Sequence, residues 1–474
     1  MHTTSPHGFS TRQRVILLVL LGAGFMLSVD FSILNVALPE AGAGVGLGPE
    51  GLPWITSAFA LPAAGCMLLF GRLADFFGRR RLFLSGMALL AAASVVGGLA
   101  SQAEIMLAAR ALQGVATAMA LPATMALLTT TFSDPAVRAR VLGLRGALLS
   151  AGFAVGALIG GALVSVLGWR AAFFINVPAA IAILVAAPFV VDESRLPERV
   201  KLDVPGAVTV TGGLLAIVYA VIERNLFAAV VGAVLLVAFW RIEVRSPAPL
   251  VPMRILTRPS VAWGNYAGLV IGAMEPAMIV LTTLYVQRVL GLSPFETGLV
   301  FGIPGVASVA AGVVAGRIIG RLGYRNVLAV SISIQGLATL PLVFLGTHTW
   351  VALAILVPAL FIGFFGHVAA IVAFTVTATS GMADQDQGLA TGLTSMTGEV
   401  ATTIGTPILF AIAATQATIV TGHRVAMTAD VAFTLVSAML IWIGLRADAR
   451  HGRAAALEND GQSQPAAELT PATT

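Results

Sequence analysis

Long apolar stretches, separated by short polar connections, run through almost the entire chain. A helix that crosses the roughly 30 Å core of a bilayer needs about 20 mainly apolar residues. The pattern predicts fourteen such transmembrane helices. Their predicted spans are residues 15–38, 52–71, 82–100, 104–130, 143–167, 171–191, 206–222, 226–242, 261–286, 298–316, 327–346, 350–377, 388–415 and 426–445.

The basic residues follow this pattern of spans. If both termini face the cytoplasm, 22 of the 27 lysines and arginines fall on the cytoplasmic side. Only Arg170, Arg224, Arg288 and Arg424 fall outside, and Arg110 lies within a span. Cytoplasmic loops of membrane proteins carry such an excess of positive charge. We therefore expect a multi-pass protein of the inner (plasma) membrane with both termini cytoplasmic.

Composition agrees with an all-α integral membrane protein. Hydrophobic residues make up 58% of the chain and charged residues 10%, whereas a soluble protein carries about 25% charged residues. The 50 glycines suit close helix packing in a bilayer. The net charge of +5 comes from residues at helix ends rather than from a patch, so we expect the lipid bilayer, and no nucleic acid, as a partner.

A short glycine- and arginine-rich loop occurs twice. Residues 71–80 (GRLADFFGRR) recur loosely as residues 316–325 (GRIIGRLGYR), each after a helix that runs from outside to inside. Related halves are common in transporters built from internal repeats. The repeat therefore predicts two related halves, for which residues 192–205 are the best candidate link.

The first of these loops carries a candidate conformational latch, formed by Gly71, Asp75, Gly78, Arg79 and Arg80. Glycine lets backbones approach closely, and a carboxylate among arginines at a helix end could bridge helices on one face. Such a cluster could hold that face shut and release it when the halves rock. The alternative is an ordinary cytoplasmic anchor of positive charge.

Four segments resemble one known family. Residues 71–80 resemble the signature loop of the major facilitator superfamily. Residues 29–39 (VDFSILNVALP) resemble the first-helix motif of its fourteen-span drug:proton antiporter branch. Residues 110–118 (RALQGVATA) resemble the fourth-helix motif, and residues 168–178 (GWRAAFFINVP) resemble the entry to the sixth helix of that branch. The likeness covers nearly the whole membrane region.

The resemblance implies the major facilitator fold, with two six-helix bundles, two extra central helices between them, and alternating access. We place the cytoplasmic N terminus at residues 1–14 and the N-terminal bundle at 15–191. A cytoplasmic linker with the two extra helices follows at 192–257, then the C-terminal bundle at 258–445. Residues 446–474 have little apolar surface and are expected to form a disordered cytoplasmic tail.

The fifth helix departs from the family pattern. Its glycine series includes Gly152, Gly156 and Gly160, which share one helix face, but Ala157 stands where the antiporter motif has proline. A face of small residues favours close packing of membrane helices, and the missing proline removes a source of a kink. Plain helix packing and a special role in antiport both remain open for these glycines.

Ionisable residues inside a membrane span are expensive and usually functional. Asp30 lies roughly 12 Å and Arg110 roughly 10 Å from the outer ends of their helices, at a rise of 1.5 Å per residue. The resemblance implies that both helices border a central cavity. Asp30 is therefore our candidate proton acceptor, with a proton affinity that depends on whether Arg110 is near. A fixed structural ion pair is the alternative.

Other polar residues in the spans are weaker candidates. Glu399, near the midplane of the thirteenth span, is read as a second proton site or a contact for a cationic substrate, or else as a hydrogen-bonded structural acid. Glu275 precedes Pro276, which can free a backbone carbonyl, and we interpret His367 as a core histidine. The residues that we assign tentatively to a substrate cavity are Met26, Asn35, Gln113, Glu275 and Glu399.

Several active-site motifs are missing from the sequence. Lys201, the only lysine, follows Val200, so the chain has no Walker A loop. It also has no His-Glu-x-x-His zinc motif and no serine nucleophile elbow. We therefore expect no metal, no cofactor and no enzymatic activity.

The function that we favour is proton-coupled antiport, with protons moving in and small amphipathic drugs or antibiotics, cationic ones among them, moving out. Transport would be driven by the proton gradient alone. Alternatives are a proton-coupled importer, a narrow exporter of an endogenous metabolite, and a membrane protein that transports nothing. We expect a monomer.

Overall fold

A computed structural model describes residues 9–48, 51–132, 134–194, 203–246, 249, 258–380 and 384–462. Within these ranges the side chains of some helical residues, including Asp75 and Glu399, lie outside the description. The described part of the chain is helical, and its helices are joined by short connections. The predicted all-α fold class is confirmed.

The helices follow the predicted spans in order. They are α1 (Thr11–Gly44), α2 (Leu52–Phe77), α3 (Arg79–Gly98), α4 (Ala103–Thr131), α5 (Pro135–Leu167), α6 (Ala171–Val190), α7 (Val204–Glu223), α8 (Leu226–Arg245), α9 (Pro259–Arg288), α10 (Pro294–Leu322), α11 (Tyr324–Thr339, continued as a 3-10 helix over Leu340–Phe344), α12 (Thr349–Thr379), α13 (Asp384–Ala413) and α14 (Ile419–Gln462).

Eleven helices in the described part of the chain are long and apolar enough to cross a membrane. The other three, α2, α5 and α13, contain shorter apolar stretches, at Leu52–Met67, Ala151–Leu167 and Val400–Ala413. The protein is therefore a multi-pass membrane protein. Each predicted span coincides with a helix, but the number of fourteen membrane crossings stays a prediction.

The helix ends show how the sequence sets the helix boundaries. Ser10 with Gln13 starts α1, and Ser293 with Glu296 starts α10, each through a capping box in which side chain and backbone exchange hydrogen bonds. Gly78 separates α2 from α3 at φ +113°, in a region that side-chain-bearing residues rarely adopt.

Both copies of the repeated loop break the helix at a glycine with positive φ. Gly323 separates α10 from α11 at φ +77°, just as Gly78 separates α2 from α3. We call the face that holds the start of α1 and these two loops the arginine-rich face. The face that holds the connections at residues 45–48, 99–102 and 168–170 is called the opposite face.

The two halves, α1–α6 and α9–α14, are in contact toward the opposite face. Small residues at the end of α5 pack on the start of α10, where a Cβ added to Gly161 would lie 2.6 Å from the Pro294 carbonyl oxygen. Gly305 of α10 likewise packs on Ala154 of α5. The Gln287 side chain of α9 donates a hydrogen bond to the Val36 carbonyl of α1 at 2.9 Å. These contacts join the two halves toward the opposite face.

Helices α7 and α8 lie between the halves in sequence and pack beside α2. The Thr211 hydroxyl of α7 donates to the Gly65 carbonyl at 2.9 Å, and the Trp54 indole donates to Glu223 at 3.3 Å. Helix α8 presents apolar side chains to the surroundings, including Phe227 and Trp240. A surface of this kind suits contact with lipid.

The structure corrects one prediction about the end of the chain. Helix α14 continues to Gln462, so residues 446–462, predicted to be disordered, are helical. This segment is rich in alanine and arginine and contains leucine and glutamate, all strong helix formers that extend a helix already begun. Residues 463–474, and residues 195–202 of the predicted linker, lie outside the described residues.

Candidate functional site

Asp30 and Arg110 meet in the interior of the first half. Both side chains are nearly inaccessible, and Arg110 Nη1 lies 3.4 Å from Asp30 Oδ2. The other oxygen of the carboxylate, Oδ1, accepts a hydrogen bond from the Asn176 side chain of α6. The Asp30 carboxylate is therefore held by one group from α4 and one from α6.

Arg110 has further partners that do not depend on Asp30. Its Nη1 donates to Gln113 Oε1 at 2.7 Å, and its Nε donates to the Ile55 carbonyl of α2 at 3.2 Å. The guanidinium carbon lies 4.3 Å from the centre of the Phe59 ring, a cation–π contact. Gln113 also donates to the Ser94 hydroxyl of α3 at 2.9 Å. The network joins α1, α2, α3, α4 and α6.

This arrangement allows one member of the pair to bind and release a proton. An arginine in a protein keeps its proton, so Asp30 is the member of the pair that can change protonation. Separating two buried charges leaves each one uncompensated, which is costly. A proton bound to Asp30 would remove the carboxylate charge and let the pair part, while Arg110 keeps Gln113, Ile55 and Phe59.

Two other predicted cavity residues lie on α1, at Met26 and Asn35. Met26 packs in the apolar core of the first half, with Leu20 and Leu90 among its members. Asn35 is buried, and its Nδ2 has no hydrogen-bond partner among the residues that the structure describes. A buried polar atom without a partner is uncommon and is a reasonable place for a ligand or water to bind.

The predicted glycine face of α5 packs on α1 beside Asp30. A Cβ added to Gly156 would lie 2.8 Å from the Val29 carbonyl oxygen, and Gly152 and Gly160 are similarly close to α1. Two serines that the sequence analysis missed, Ser28 and Ser32, donate hydrogen bonds of 2.6 Å to α5 carbonyls. Ser28 and Ser32 have the same spacing along α1 as the glycines have along α5. This matching spacing could have identified the two serines from the sequence.

The second half contains a second buried acid–base contact. Glu275 of α9 and His367 of α12 are in contact, with side-chain exposures of 6% and 15%. The sequence analysis considered both residues but did not pair them, because nothing local in the sequence links positions on two distant helices. His367 is a buried histidine with Glu275 as an acidic neighbour, and its interpretation as a core histidine stays a prediction.

Pro276 has the expected effect on the backbone of α9. Proline lacks the N–H that would bond the carbonyl four residues earlier. That carbonyl, on Gly272, lies 3.3 Å from the Thr402 hydroxyl of α13, which shares its proton between Gly272 and the Gly398 carbonyl at 3.1 Å. A second link joins the same helices, because Thr397 donates to Asn265 at 2.7 Å. Glu399 lies between these two threonines on α13, but its side chain is outside the described atoms.

Helix α14 carries two buried ionisable residues that the sequence analysis did not single out. His423 makes a hydrogen bond of 3.3 Å with Thr282 and packs on the Tyr285 ring. Asp430 accepts a hydrogen bond of 3.0 Å from Thr434. Asp430 lies inside a predicted span, so its charge was the signal available in the sequence.

The predicted latch residues make contacts within the first half. Gly71 lies beside Pro122. Arg79 donates to the Ser194 hydroxyl at 3.2 Å, and Arg80 donates to the Val191 carbonyl at 3.1 Å. These contacts join the start of α3 to the segment after α6. The latch between halves stays a prediction, because the Asp75 side chain lies outside the described atoms.

Glu193, which the sequence analysis missed, caps α3 next to Gly78. Its carboxylate accepts hydrogen bonds from the backbone N–H groups of Arg80 at 3.0 Å and Arg81 at 3.2 Å. A carboxylate at the N-terminus of a helix is favoured by the unpaired N–H groups there. Within the described residues, no group of three or more histidine, cysteine, aspartate or glutamate side chains is arranged to hold a metal ion.

Comparison with known proteins gives relatives along most of the chain. The cephamycin export protein CmcT of Amycolatopsis lactamdurans is 34% identical over 418 residues, covering 82% of this chain and 83% of the relative. The puromycin resistance protein pur8 of Streptomyces alboniger is 32% identical over 464 residues, covering 90% of each. The multidrug resistance protein Stp of Mycobacterium tuberculosis is 30% identical over 417 residues, covering 85% of this chain and 76% of the relative.

A solved structure gives the same fold. The crystal structure of the human organic anion transporter MFSD10 (TETRAN) matches with a TM-score of 0.64 at 16% identity, covering 91% of this chain and 100% of that one. The sequence profile of the Major Facilitator Superfamily matches residues 20–406. The fold, the relatives and the profile agree, and the chain belongs to the major facilitator superfamily.

Proposed function

We propose that the protein exports small amphipathic drugs or antibiotics in exchange for protons, by alternating access. Membership of the superfamily makes it a transporter of small molecules rather than an enzyme. Relatives named for cephamycin export, puromycin resistance and multidrug resistance support export as the direction. The observation that carries the proton coupling is the buried Asp30–Arg110 pair, set in a network that spans five helices.

The proton step begins at Asp30. When the site opens to the outside, a proton binds the Asp30 carboxylate and cancels its attraction to Arg110. Arg110 then relaxes toward Gln113 and the Ile55 carbonyl, which already bind it. Helix α1 becomes free to move against α4, and release of the proton to the inside restores the pair.

The contacts between the halves suit a cycle of this kind. The α5–α10 packing and the Gln287–Val36 hydrogen bond join the halves toward the opposite face. If the arginine-rich face is cytoplasmic, as the charge distribution indicates, these contacts lie toward the outer side and would part when a drug leaves. A proton taken up from the outside would favour the return to the state in which these contacts are made.

We assign the chain to the fourteen-span drug:proton antiporter branch and place it in the plasma membrane. The packing of α7 and α8 beside α2 supports the assignment of the two extra helices. The proton gradient supplies enough energy for this exchange. Each proton that enters across about one pH unit supplies about 1.4 kcal/mol, which sustains roughly a tenfold concentration gradient of substrate.

The experiment uses everted membrane vesicles that contain the protein. Respiration acidifies the lumen, a pH-sensitive dye reports the gradient, and drugs are added one at a time. We expect wild type and the exposed control Glu104→Gln to dissipate the gradient when a substrate is added, and Asp30→Asn to lose this response. A drug response that Asp30→Asn retains would exclude Asp30 as the coupling group.

No response to a broad drug panel, from folded and abundant wild-type protein, would exclude multidrug antiport. The proposal would then give way to narrow metabolite export or to import.

A further inference from the structure

A cavity lies on the arginine-rich face of the second half, where α10 ends, α11 begins and α14 passes beside them. Its volume is about 360 Å³, which is in the size range of small-ligand pockets. Leu322, Trp442 and Leu445 form its apolar wall, and Arg325 and Arg446 supply its positive charge. An apolar wall beside two guanidinium groups suits a ligand with one apolar part and one negatively charged part.

Each of the two arginines lies over an aromatic ring of its own helix. The Arg446 guanidinium carbon is 3.7 Å from the centre of the Trp442 ring, and the Arg325 guanidinium carbon is 5.5 Å from the centre of the Tyr324 ring. Such a contact uses the face of the guanidinium, whereas its N–H groups lie in its plane. The rings therefore hold the two arginines in place and leave N–H groups that can donate to an anion, so little freedom is lost on binding.

The start of α11 adds backbone donors to the same cavity. The first N–H groups of a helix have no acceptor within the helix, and together they favour a negatively charged group. Gly323 precedes α11, and no side chain among the described residues caps the helix there. Since Gly323, Tyr324 and Asn326 line the cavity together with Arg325, the helix start and the arginines act on the same place.

The corresponding helix start in the first half shows which chemistry this loop accepts. At α3, the Glu193 carboxylate accepts hydrogen bonds from the backbone N–H groups of Arg80 and Arg81. A Cβ added to Gly78 would lie 2.7 Å from that carboxylate, whereas a Cβ added to Gly323 meets no described atom within 4 Å. In the first half the chain itself supplies the anion, and in the second half the cavity occupies the equivalent place.

The cavity lies at the level of the lipid headgroups. Tyr324 and Trp442 are amphipathic aromatic residues, which are enriched where the hydrocarbon core of a membrane meets the headgroups. Arg446 ends the apolar part of α14, and Leu322 is exposed on the surface of the bundle. Basic pockets between helices on the cytoplasmic side of membrane proteins bind anionic headgroups. The charge distribution assigns this face to the cytoplasm.

We propose that this cavity binds an anionic phospholipid of the adjoining leaflet. The phosphate accepts hydrogen bonds from Arg446, Arg325 and the start of α11, and the acyl chains run along the apolar wall. A lipid satisfies both the wall and the donors, whereas free phosphate satisfies the donors alone. A phosphate bound there links α11 to α14. The proposal goes beyond drug export and does not depend on it, because neither the drug nor the proton uses this cavity.

The test counts the lipids bound to purified protein by native mass spectrometry, as phosphatidylglycerol or phosphatidylcholine is added in detergent. We expect wild type to bind phosphatidylglycerol about tenfold more tightly than phosphatidylcholine, whose choline group cancels the charge of the phosphate. Arg446→Gln and Arg325→Gln should each weaken phosphatidylglycerol binding about fivefold. The control Arg321→Gln removes an arginine that does not line the cavity and should bind lipid as wild type does.

A further variant separates lipid binding from folding. Asn326→Glu places a carboxylate in the first turn of α11, where it favours the helix, as Glu193 does at α3, and repels a phosphate. This variant should be as stable as wild type and should lose the preference for phosphatidylglycerol. Gln416→Glu makes the same change of charge at an exposed residue near the opposite face, and it is the matched control.

Three results would overturn the proposal. The first is equal affinity of wild type for the two lipids. The second is unchanged phosphatidylglycerol binding by folded Asn326→Glu or by both arginine variants. The third is displacement of the lipid by an equal concentration of inorganic phosphate, which would identify free phosphate as the ligand. None of these results affects proton-coupled export, which the everted-vesicle assay tests separately.

Discussion

Replacing Asp30 by asparagine removes one charge of the buried pair and leaves the Arg110 guanidinium without its counter-ion. Asparagine keeps the shape of the side chain and can still accept a hydrogen bond from Asn176. The change therefore isolates the charge. Breaking a buried pair by removing one partner costs about 3–5 kcal/mol. The hydrogen bonds from Arg110 to Gln113 and Ile55 place the expected loss at the lower end of that range.

The double variant Asp30→Asn/Arg110→Gln gives the sharper result. It contains no buried charge at this place, so it should be more stable than either single variant. The assay is unfolding of purified protein in mixed micelles of rising denaturing-detergent content, followed by circular dichroism. The four proteins form a double-mutant cycle, which isolates the interaction between the two side chains.

Two outcomes would refute this reasoning. If Asp30→Asn is as stable as wild type, Asp30 carries no charge in the resting state. If the two single losses simply add in the double variant, the side chains do not interact energetically. The double variant should in either case be inactive in proton exchange, because it has no carboxyl to protonate at this position.

Three further substitutions test the packing and the backbone around the site. Gly156→Ala should destabilise the protein and slow transport, because the new methyl group meets the Val29 carbonyl oxygen at 2.8 Å; unfolding and drug efflux measure this. Gly78→Ala should cost about 1–3 kcal/mol, because φ of +113° is unfavourable for alanine. Gly316→Ala, with nothing within 4 Å of the added group, is the control for both, and equal stability of all three variants would contradict these expectations. Thr402→Val should lose about 1 kcal/mol with the hydroxyl that Gly272 and Gly398 share. Thr402→Ser should retain this stability, and equal loss in both variants would exclude the hydroxyl as the cause.

The helices were largely predictable because the bilayer imposes a simple rule on length and polarity. The start of α2 at Leu52 is at its predicted place, and α4 differs from its prediction by one residue at each end. The tail was predicted less well. Low hydrophobicity indicated disorder, but helix propensity continues α14 to Gln462.

The part of the site in the first half of the protein was predictable, because the depth of a residue in the membrane can be counted from the end of its helix. Counting residues placed Asp30 and Arg110 at one level, and the structure brings them together. The glycine spacing of α5 likewise indicated a packing face. The helix on which this face packs is α1, whose Ser28 and Ser32 donate hydrogen bonds to α5 carbonyls. That pairing of helices could be identified only from the structure.

In the second half of the protein, counting residues from the helix ends could not predict which side chains meet. Glu275 and His367 lie on different helices, and their meeting depends on how α9 and α12 are rotated about their axes. A shift of one residue along a helix rotates a side chain by about 100°, so small errors in a predicted helix change its neighbours. Glu193 was missed for a related reason, because it lies in a connection whose path no periodic pattern describes.

In the proposed function, inward proton flow drives substrate across the membrane. The most direct measurement uses purified protein in sealed proteoliposomes, with an imposed pH gradient and no ATP. A labelled drug that wild-type vesicles respond to is added outside, and its accumulation is followed in populations that contain wild type or Asp30→Asn. We expect accumulation in wild type when the lumen is acidic, loss of this accumulation when a protonophore is added, and no accumulation with Asp30→Asn. Accumulation that persists after the gradient has collapsed would contradict it.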